Sequence, residues 1–150
     1  MRKIFIGNDH AGPEYIQEII SYLKGKNYEV EHVGSFDDSS VDYPDFGEAC
    51  ARKVVALNEK NENSAFGIVI CGTGLGIGIA ANKVKGVRCA HCVSPHYAEM
   101  GRSHNDANMI SLGARVIDIE NAKIIIDMFL TTEFEGGRHQ RRVDKLNAIV

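Results

Sequence analysis

The chain has 150 residues, of which 44% are hydrophobic and 25% charged, a composition typical of one globular domain and unlike that of a disordered or coiled-coil chain. Its net charge of −3 gives no electrostatic support for general binding to nucleic acid or to a membrane surface. Four cysteines scattered through apolar segments, and an N-terminus that turns polar too early for a signal peptide, predict a protein of the reducing cytoplasm.

Strand and helix patterns alternate from the start of the chain. A short apolar run over residues 3–7 predicts a buried strand, and Gly12-Pro13 opens a helix whose apolar residues from Ile16 to Leu23 share one face. A second strand is predicted over residues 28–34. After a polar loop, Pro44 begins a second helix.

The middle of the chain repeats this alternation around a run of glycines. The uniformly apolar residues 66–71 predict a strand that is covered on both faces of its sheet. The glycine-rich residues 72–78 then lead into a short helix through residues 80–83. A fourth strand is predicted over residues 87–93, and Ser94-Pro95 caps the helix that follows.

The last third completes the pattern with a strand over residues 108–112, a helix capped by Asp118, and a final helix from about Arg138 to the end. Five alternations predict an α/β fold: a three-layer α/β/α, Rossmann-like domain with a five-stranded parallel sheet. No linker divides the chain, so residues 1–150 are expected to form one domain.

Polar residues cluster where the predicted strands end. Asp9 and His10 follow the first strand, and Cys71 with the glycine run follows the third. Residues 94–96 follow the fourth strand, and residues 104–106 (His-Asn-Asp) form a loop before the fifth. Open α/β sheets bind ligands at the carboxyl edge, so we expect all four clusters to meet there.

The glycine run favours an anion site, because backbone N–H groups can converge after a buried strand. It is not a dinucleotide or P-loop motif, since Ile77 replaces the third glycine and no Gly-Lys-Ser/Thr occurs. A tight turn without ligand is the alternative. Cys71, facing these amides, should hold more thiolate than an ordinary cysteine. A buried packing cysteine is the alternative there.

Two further motifs need weighing. Cys89-Ala-His-Cys92 lies in a predicted strand, where residues three apart point to opposite faces, so a shared metal ion is disfavoured. Arg138 and Arg142 are four residues apart, hence on one helical face, and form a plausible phosphate fork. The alternative for the arginines is an ordinary solvated basic face.

Five motifs occur in order over essentially the whole chain: Asn8–Gly12, Asp42–Pro44, Ile70–Gly74 with Ala80–Lys83, His104–Asn108 and Glu135–His139. Together they resemble type B ribose-5-phosphate isomerase, a family that also contains the galactose-6-phosphate isomerase subunits. The resemblance implies a phosphorylated-sugar substrate and a homodimer whose two active sites each draw on both subunits. We expect the C-terminal helix, about residues 138–150, at the dimer interface.

The resemblance also implies residue roles. Cys71 would be the base that moves a proton between C1 and C2 of the sugar, and His104 would assist ring opening. Some members place a glutamate in the glycine loop instead of the cysteine, but residues 75–78 here contain none, so this chain resembles the cysteine branch. The other residues expected to contact the substrate are Asp9, His10, Tyr43, Gly72, Thr73, Gly74, Leu75, Gly76, Asn105, Arg115, Arg138 and Arg142.

Aldose–ketose isomerisation needs a base, an acid for the ring and preorganised donors for an oxyanion, and we expect neither a metal nor another cofactor. Asp9 and Thr73 would lie beside the reacting atoms. Two alternatives remain open at this point. One is isomerisation of a six-carbon sugar such as allose or galactose 6-phosphate, and the other is a non-catalytic sugar-phosphate-binding domain.

Overall fold

The computed structural model describes residues 1–149. Within this part of the chain, strands and helices alternate in the order β1 (Lys3–Asn8), α1 (Pro13–Gly25), β2 (Val30–His32), α2 (Tyr43–Lys60), β3 (Ala65–Cys71), α3 (Leu75–Asn82), β4 (Cys89–His91), α4 (Pro95–Asn105), β5 (Met109–Gly113), α5 (Ile119–Thr131) and α6 (Arg138–Ala148).

The five strands form one parallel sheet in the order β2-β1-β3-β5-β4. This confirms the predicted α/β fold. The chain steps from β3 past one position to the edge strand β4, and then returns to fill the gap with β5. Cys71, at the end of β3, is in register with Gly113 at the end of β5.

Helices cover both faces of the sheet, and each face has its own apolar core. Ile4 and Ile6 of β1 pack with residues of α1, α4 and α5, whereas Phe5 points to the other face and packs with residues of α2 and α3. The alternation follows from the two-residue period of a strand. Each large side chain that is fully buried in these layers contributes about 1.5–3 kcal/mol to folding.

The two edge strands are shorter than predicted, because each has a single neighbour to pair with. β2 spans Val30–His32 instead of residues 28–34, and β4 spans Cys89–His91 instead of residues 87–93. A second difference concerns α3, which begins at Leu75 inside the glycine run instead of after it. Its glycines allow close packing, since a Cβ on Gly78 would come within 2.6 Å of the Ser111 hydroxyl.

Helix α6 lies against the C-terminal part of α4 and buries His139 and Val143. Arg88 links the C-terminal end of α6 to the end of α4. Its Nη1 donates to Oδ1 of Asn147 at 2.8 Å, and its Nε and Nη2 donate to the carbonyls of Asn105 and Asp106. Leu146 stays exposed. Among residues 1–149, no helix is both long enough and apolar enough to cross a bilayer.

Candidate active site

Cys71 is the last residue of β3 and is almost fully buried. The backbone N–H of Gly74 donates a hydrogen bond to its Sγ at 3.2 Å. Leu75 begins α3 one residue later, so the sulfur faces the positive end of a helix dipole. Both features direct positive electrostatic potential at the sulfur.

Two of the other cysteines have a different environment. Burial raises the pKa of Cys92 to about 12 and raises that of Cys50 further, which keeps both as neutral thiols. Their Sγ atoms donate to the carbonyl oxygens of Ala90 and Phe5. Cys89 and Cys92 belong to the cores on opposite faces of the sheet, as the strand pattern predicted.

The loop after Cys71 is wedged against the end of β5. Ala114 and Arg115 donate their N–H groups to the carbonyls of Cys71 and Gly72 at 2.9 and 3.0 Å. Gly74 has φ +81°, and a Cβ there would stand 2.6 Å from the carbonyl carbon of Leu112. Only glycine fits this position without strain. A fixed loop of this kind suits the stabilisation of negative charge that develops on a substrate oxygen.

Thr73, at the tip of this loop, is exposed, and its Oγ1 accepts the N–H of Leu75 at 3.2 Å. The hydroxyl therefore lies at the start of α3, next to the Cys71 sulfur's own hydrogen-bond donor. Its O–H remains available as a donor to a second group.

The turn after β1 places two further predicted residues at the same edge. Oδ1 of Asp9 accepts the N–H of Ala11 at 2.9 Å, and Asp9 N–H donates to Ile70 in β3. The Nδ1 atom of His10 accepts the Val41 N–H at 3.1 Å. That bond leaves the proton of a neutral His10 ring on Nε2, which makes Nε2 a hydrogen-bond donor.

Asn8 holds this turn in place, a role that the sequence did not indicate. Its buried side chain donates to the carbonyls of Asp9 and Ser35, both at 2.9 Å. Its Oδ1 lies 2.6 Å from Nε2 of His32, whose pKa is lowered by burial. Asn8 thus ties β1 to the loop that carries Val41. In the sequence, only its position just before Asp9 could have indicated this role, because its hydrogen-bond partners Ser35 and His32 are distant in the chain.

Four more predicted residues line the rim around Cys71. The Tyr43 ring lies on Gly76, where a Cβ would come within 2.5 Å of the ring. Leu75 is exposed beside it. Nη1 of Arg115 lies 3.1 Å from the place where a Cβ on Gly72 would stand. With Asp9, His10 and the loop of residues 71–76, these residues form what we call the thiol group of the site.

The remaining predicted residues lie at the opposite edge of the sheet. His104 and Asn105 are the last two residues of α4, which returns the chain from the end of β4 to the start of β5. The prediction that they join Cys71 at the carboxyl edge is therefore wrong within one chain. Met109 begins β5 four residues before Gly113, the partner of Cys71, so the two edges are separated by about 13 Å.

At this second edge, His104, Asn105, Arg138 and Arg142 form what we call the histidine group. The His104 ring stacks on that of His139, with centroids 4.2 Å apart and an interplanar angle of 11°. Arg138 and Arg142 are exposed, four residues apart on α6. Asn105 is also exposed, and its carbonyl accepts from Arg88.

Glu135 and His139 complete the surroundings of His104 and were not among the predicted site residues. The Glu135 carboxylate lies 3.7 Å from Nε2 of His104 and 3.6 Å from Nε2 of His139. Burial, together with the positive charges of Arg138 and Arg142, lowers the pKa of His139. Both residues belong to the Glu-Gly-Gly-Arg-His motif, so the sequence marked this segment as part of the site. Their contact with His104 is visible only in the fold.

The thiol group and the histidine group both lie within the part of the chain that matches a known protein family. A match to the family described as Ribose/Galactose Isomerase spans residues 4–146. The chain belongs to this family. The matched range contains every predicted site residue, from Asp9 in the thiol group to Arg142 in the histidine group.

Relatives within the family match over nearly their whole length. Ribose-5-phosphate isomerase B of Escherichia coli is 42% identical, with 99% of this chain and 97% of that protein covered. A structure of the Clostridium thermocellum enzyme of that name is 49% identical with a TM-score of 0.91, covering 98% of this chain and 96% of that one. The Mycoplasma genitalium enzyme, solved with bound ribulose-5-phosphate, is 43% identical with a TM-score of 0.89, covering 97% and 93%.

Proposed function

We propose that this family member is a ribose-5-phosphate isomerase, which interconverts ribose 5-phosphate and ribulose 5-phosphate through an enediol(ate). The observation that carries the proposal is the Cys71 thiol, held at the start of α3 by the Gly74 N–H beside a rigid glycine loop. The names of the relatives, and the ribulose-5-phosphate bound in the M. genitalium structure, support the substrate.

Proton transfer between C1 and C2 uses only residues of the thiol group, as defined above. The Cys71 thiolate takes the C2 proton of the open-chain aldose, the C2–H electron pair forms the C1=C2 double bond, and the C1 oxygen takes up the negative charge. The proton of the C2 hydroxyl then passes to the C1 oxygen and the sulfur returns its proton to C1, which leaves the ketose. Backbone N–H groups of the loop from Gly72 to Gly76 other than those of Gly74 and Leu75, which bond to Cys71 and Thr73, stabilise the oxygen charge in between, together with the Thr73 hydroxyl. Asp9 and His10 orient the reacting end.

Ring opening and phosphate binding fall to the histidine group together with Arg115. His104 exchanges the proton of the ring hydroxyl, as an imidazole can near neutral pH, and Asn105 contacts the sugar. Arg138 and Arg142, with Arg115, bind the phosphate dianion through charge-assisted hydrogen bonds. Phosphate binding far from the reacting carbons supplies binding energy that positions them.

We further propose that the active site forms between two copies of the chain. Within one chain the thiol and histidine groups lie at opposite edges of the sheet, too far apart for one five-carbon sugar phosphate to bridge them while His104 reaches the ring and Cys71 reaches C2. A two-fold dimer would pair the thiol group of each subunit with the histidine group of the other. Helix α6 carries both arginines and would then lie at the interface; Val150, its predicted end, lies outside the described residues.

The four free cysteines fit the reducing cytoplasm as the place where this single-domain enzyme works. The deciding experiment compares initial rates of purified protein on ribose 5-phosphate and on allose 6-phosphate, without added metal. We expect a higher kcat/KM on the five-carbon sugar. Preference for allose 6-phosphate would replace the proposed substrate, and no turnover of either sugar would contradict the isomerase function.

A further inference from the structure

Three side chains of metal-ligand type converge at the histidine group. His104, Glu135 and His139 each place a nitrogen or oxygen ligand atom within 4.8 Å of the other two. Both histidines direct Nε2 at the same carboxylate, one at each oxygen. Proton transfer by Cys71 does not use Glu135 or His139, so the proposed reaction leaves this convergence unexplained.

The spacing is close to that of a zinc site. With metal–ligand bonds of about 2.0–2.2 Å, neighbouring ligand atoms of a tetrahedral ion are about 3.4 Å apart. The two observed nitrogen–oxygen distances, 3.7 and 3.6 Å, run to different oxygens of Glu135, and the two histidine rings are stacked with an interplanar angle of 11°. Because an imidazole nitrogen binds a metal in the plane of its ring, the His104 ring must turn out of this stack before all three residues can bind one ion. His104 and Glu135 are partly exposed, so their side chains can make that adjustment.

The backbone holds two of the three ligands, Glu135 and His139, beside the end of α4 before any ion arrives. Glu135 N–H donates to the carbonyl of Ser103 at 3.0 Å, which fixes the glutamate beside the end of α4. Gly136 and Gly137 turn the chain with positive φ angles, and His139 then lies in the first turn of α6 with its side chain buried. A preorganised site loses less conformational entropy on binding.

We propose that His104, Glu135 and His139 form a binding site for a divalent transition-metal ion such as Zn²⁺, and that its occupation inhibits ring opening. Two imidazoles and one carboxylate suit Zn²⁺ and Co²⁺, whereas Mg²⁺ prefers oxygen ligands. The ion would take the Nε2 lone pair of His104. The inhibitory half rests on the proposed role of His104, whereas binding of the ion does not.

Arg138 and Arg142 set the strength of this site. Arg138 directly precedes His139 and Arg142 follows it by three residues on α6, so their positive charges oppose the approach of a cation. A single carboxylate offsets only part of that charge. The site is therefore expected to bind reversibly and more weakly than a closed structural zinc site, as suits an inhibitory ion.

The binding half is tested by Co²⁺ titration of the full-length Cys71→Ala protein, which lacks the thiolate of the active site, followed by absorption spectroscopy. We expect one ion per chain, d–d bands without thiolate charge transfer, displacement by Zn²⁺ and no displacement by Mg²⁺. Adding Glu135→Gln should weaken binding by at least about tenfold. The matched control Glu133→Gln removes an exposed carboxylate two residues away and should leave affinity unchanged. Equal affinities in the two variants would overturn the site.

The inhibitory half is tested on the wild-type protein by initial rates in both directions with and without Zn²⁺. An ion on His104 should slow conversion of ribose 5-phosphate, whose ring must open, more than conversion of ribulose 5-phosphate. Glu135→Gln should remove this difference. Equal inhibition in both directions would indicate zinc on Cys71 and overturn the inhibitory half. A protein inactive on both sugars would refute the proposed function, while the cobalt titration would still decide the metal site.

Discussion

Cys71 differs from two other buried cysteines in its hydrogen bond to the backbone, not in its burial. Cys50, Cys71 and Cys92 are all buried. The Cys71 sulfur accepts the N–H of Gly74, whereas the Cys50 and Cys92 thiols donate to carbonyls. Accepting a hydrogen bond favours the thiolate, and donating one favours the thiol. The position before Gly-Thr-Gly was enough to predict that a backbone amide faces the Cys71 sulfur, because the donor lies three residues away in the sequence.

Replacing this thiol should separate binding from chemistry. We expect Cys71→Ala to lower kcat by roughly 10²–10⁴-fold or more, since loss of a general base has that effect, with KM little changed. Cys92→Ala, which removes a buried thiol from the far side of the sheet, is the matched control and should keep its kcat. Steady-state rates and thermal unfolding of both variants check this. A Cys71→Ala enzyme with near-normal kcat would contradict the mechanism.

His104→Asn should affect the two directions unequally. Ribose 5-phosphate is overwhelmingly a furanose in solution, whereas the chain of ribulose 5-phosphate cannot close such a ring. If His104 opens the ring, the variant should lose most activity from the aldose, by about 10²-fold or more, and largely keep activity from the ketose. Rates in both directions, with detritiation of C1-labelled ribulose 5-phosphate, measure this. Equal losses in all three assays would assign His104 to binding or structure instead.

At the scale of elements, the loop between β3 and α3 depends on one glycine. Gly74→Ala adds a side chain at φ +81°, against the backbone of Leu112. We expect a loss of at least about 1–2 kcal/mol in the free energy of unfolding and a large loss of kcat, because the loop must move. Gly25→Ala, at the end of α1 with no atom within 4 Å of its Cβ, is the control.

That control should keep full activity and be equally or slightly more stable, by up to about 1 kcal/mol. Urea unfolding and steady-state kinetics of the two variants are the measurements. If both alanine variants behave alike, the rigid loop is not what stabilises the thiolate and the oxyanion.

Helix α6 should act through its two exposed arginines. Arg138→Ala and Arg142→Ala should each raise KM for the sugar phosphate by about tenfold or more, because a charge-assisted hydrogen bond contributes about 1.5–3 kcal/mol. Inorganic phosphate should compete well in the wild type and poorly in the double variant. Arg141→Ala removes a neighbouring exposed charge on the same helix and should change neither value. Unchanged phosphate competition in the double variant would make the pair an ordinary solvated face.

Elements were predictable from the sequence to the extent that their signals are local. The apolar period, Pro13 and the Asp118 cap, whose Oδ1 accepts the N–H of Asn121, mark helices through neighbouring residues. The strand order is set by contacts distant in sequence. His104 was placed at the wrong edge for this reason: only the return of α4 from β4 to β5 shows where it lies. The contact of Val41 with His10, 31 residues away, was equally beyond local patterns.

On the scale of the whole molecule, Cys71 lies where the strands end and His104 lies where they begin, so one chain does not bring the two residues together. The base, Cys71, and the ring-opening group, His104, serve one small substrate in the proposed reaction, but β5 separates their edges by about 13 Å. Exposed apolar side chains near the thiol group, Leu75 and Ile79 on α3, offer a surface for another subunit. A two-fold axis would bring the two groups together twice.

Mixing two variants that are each expected to have little activity on ribose 5-phosphate tests this arrangement. Cys71→Ala lacks the thiol in every site, and His104→Asn lacks the ring-opening group in every site. In a mixed dimer with shared sites, one site carries both changes and the other carries neither, so the second site is native. If subunits exchange freely, half the dimers are mixed and half of their sites are native, which predicts about a quarter of wild-type activity on ribose 5-phosphate. Refolding the two variants together, against each one refolded alone, gives the measurement. Sites contained within single chains would give no recovery, because every chain in the mixture lacks one of the two groups.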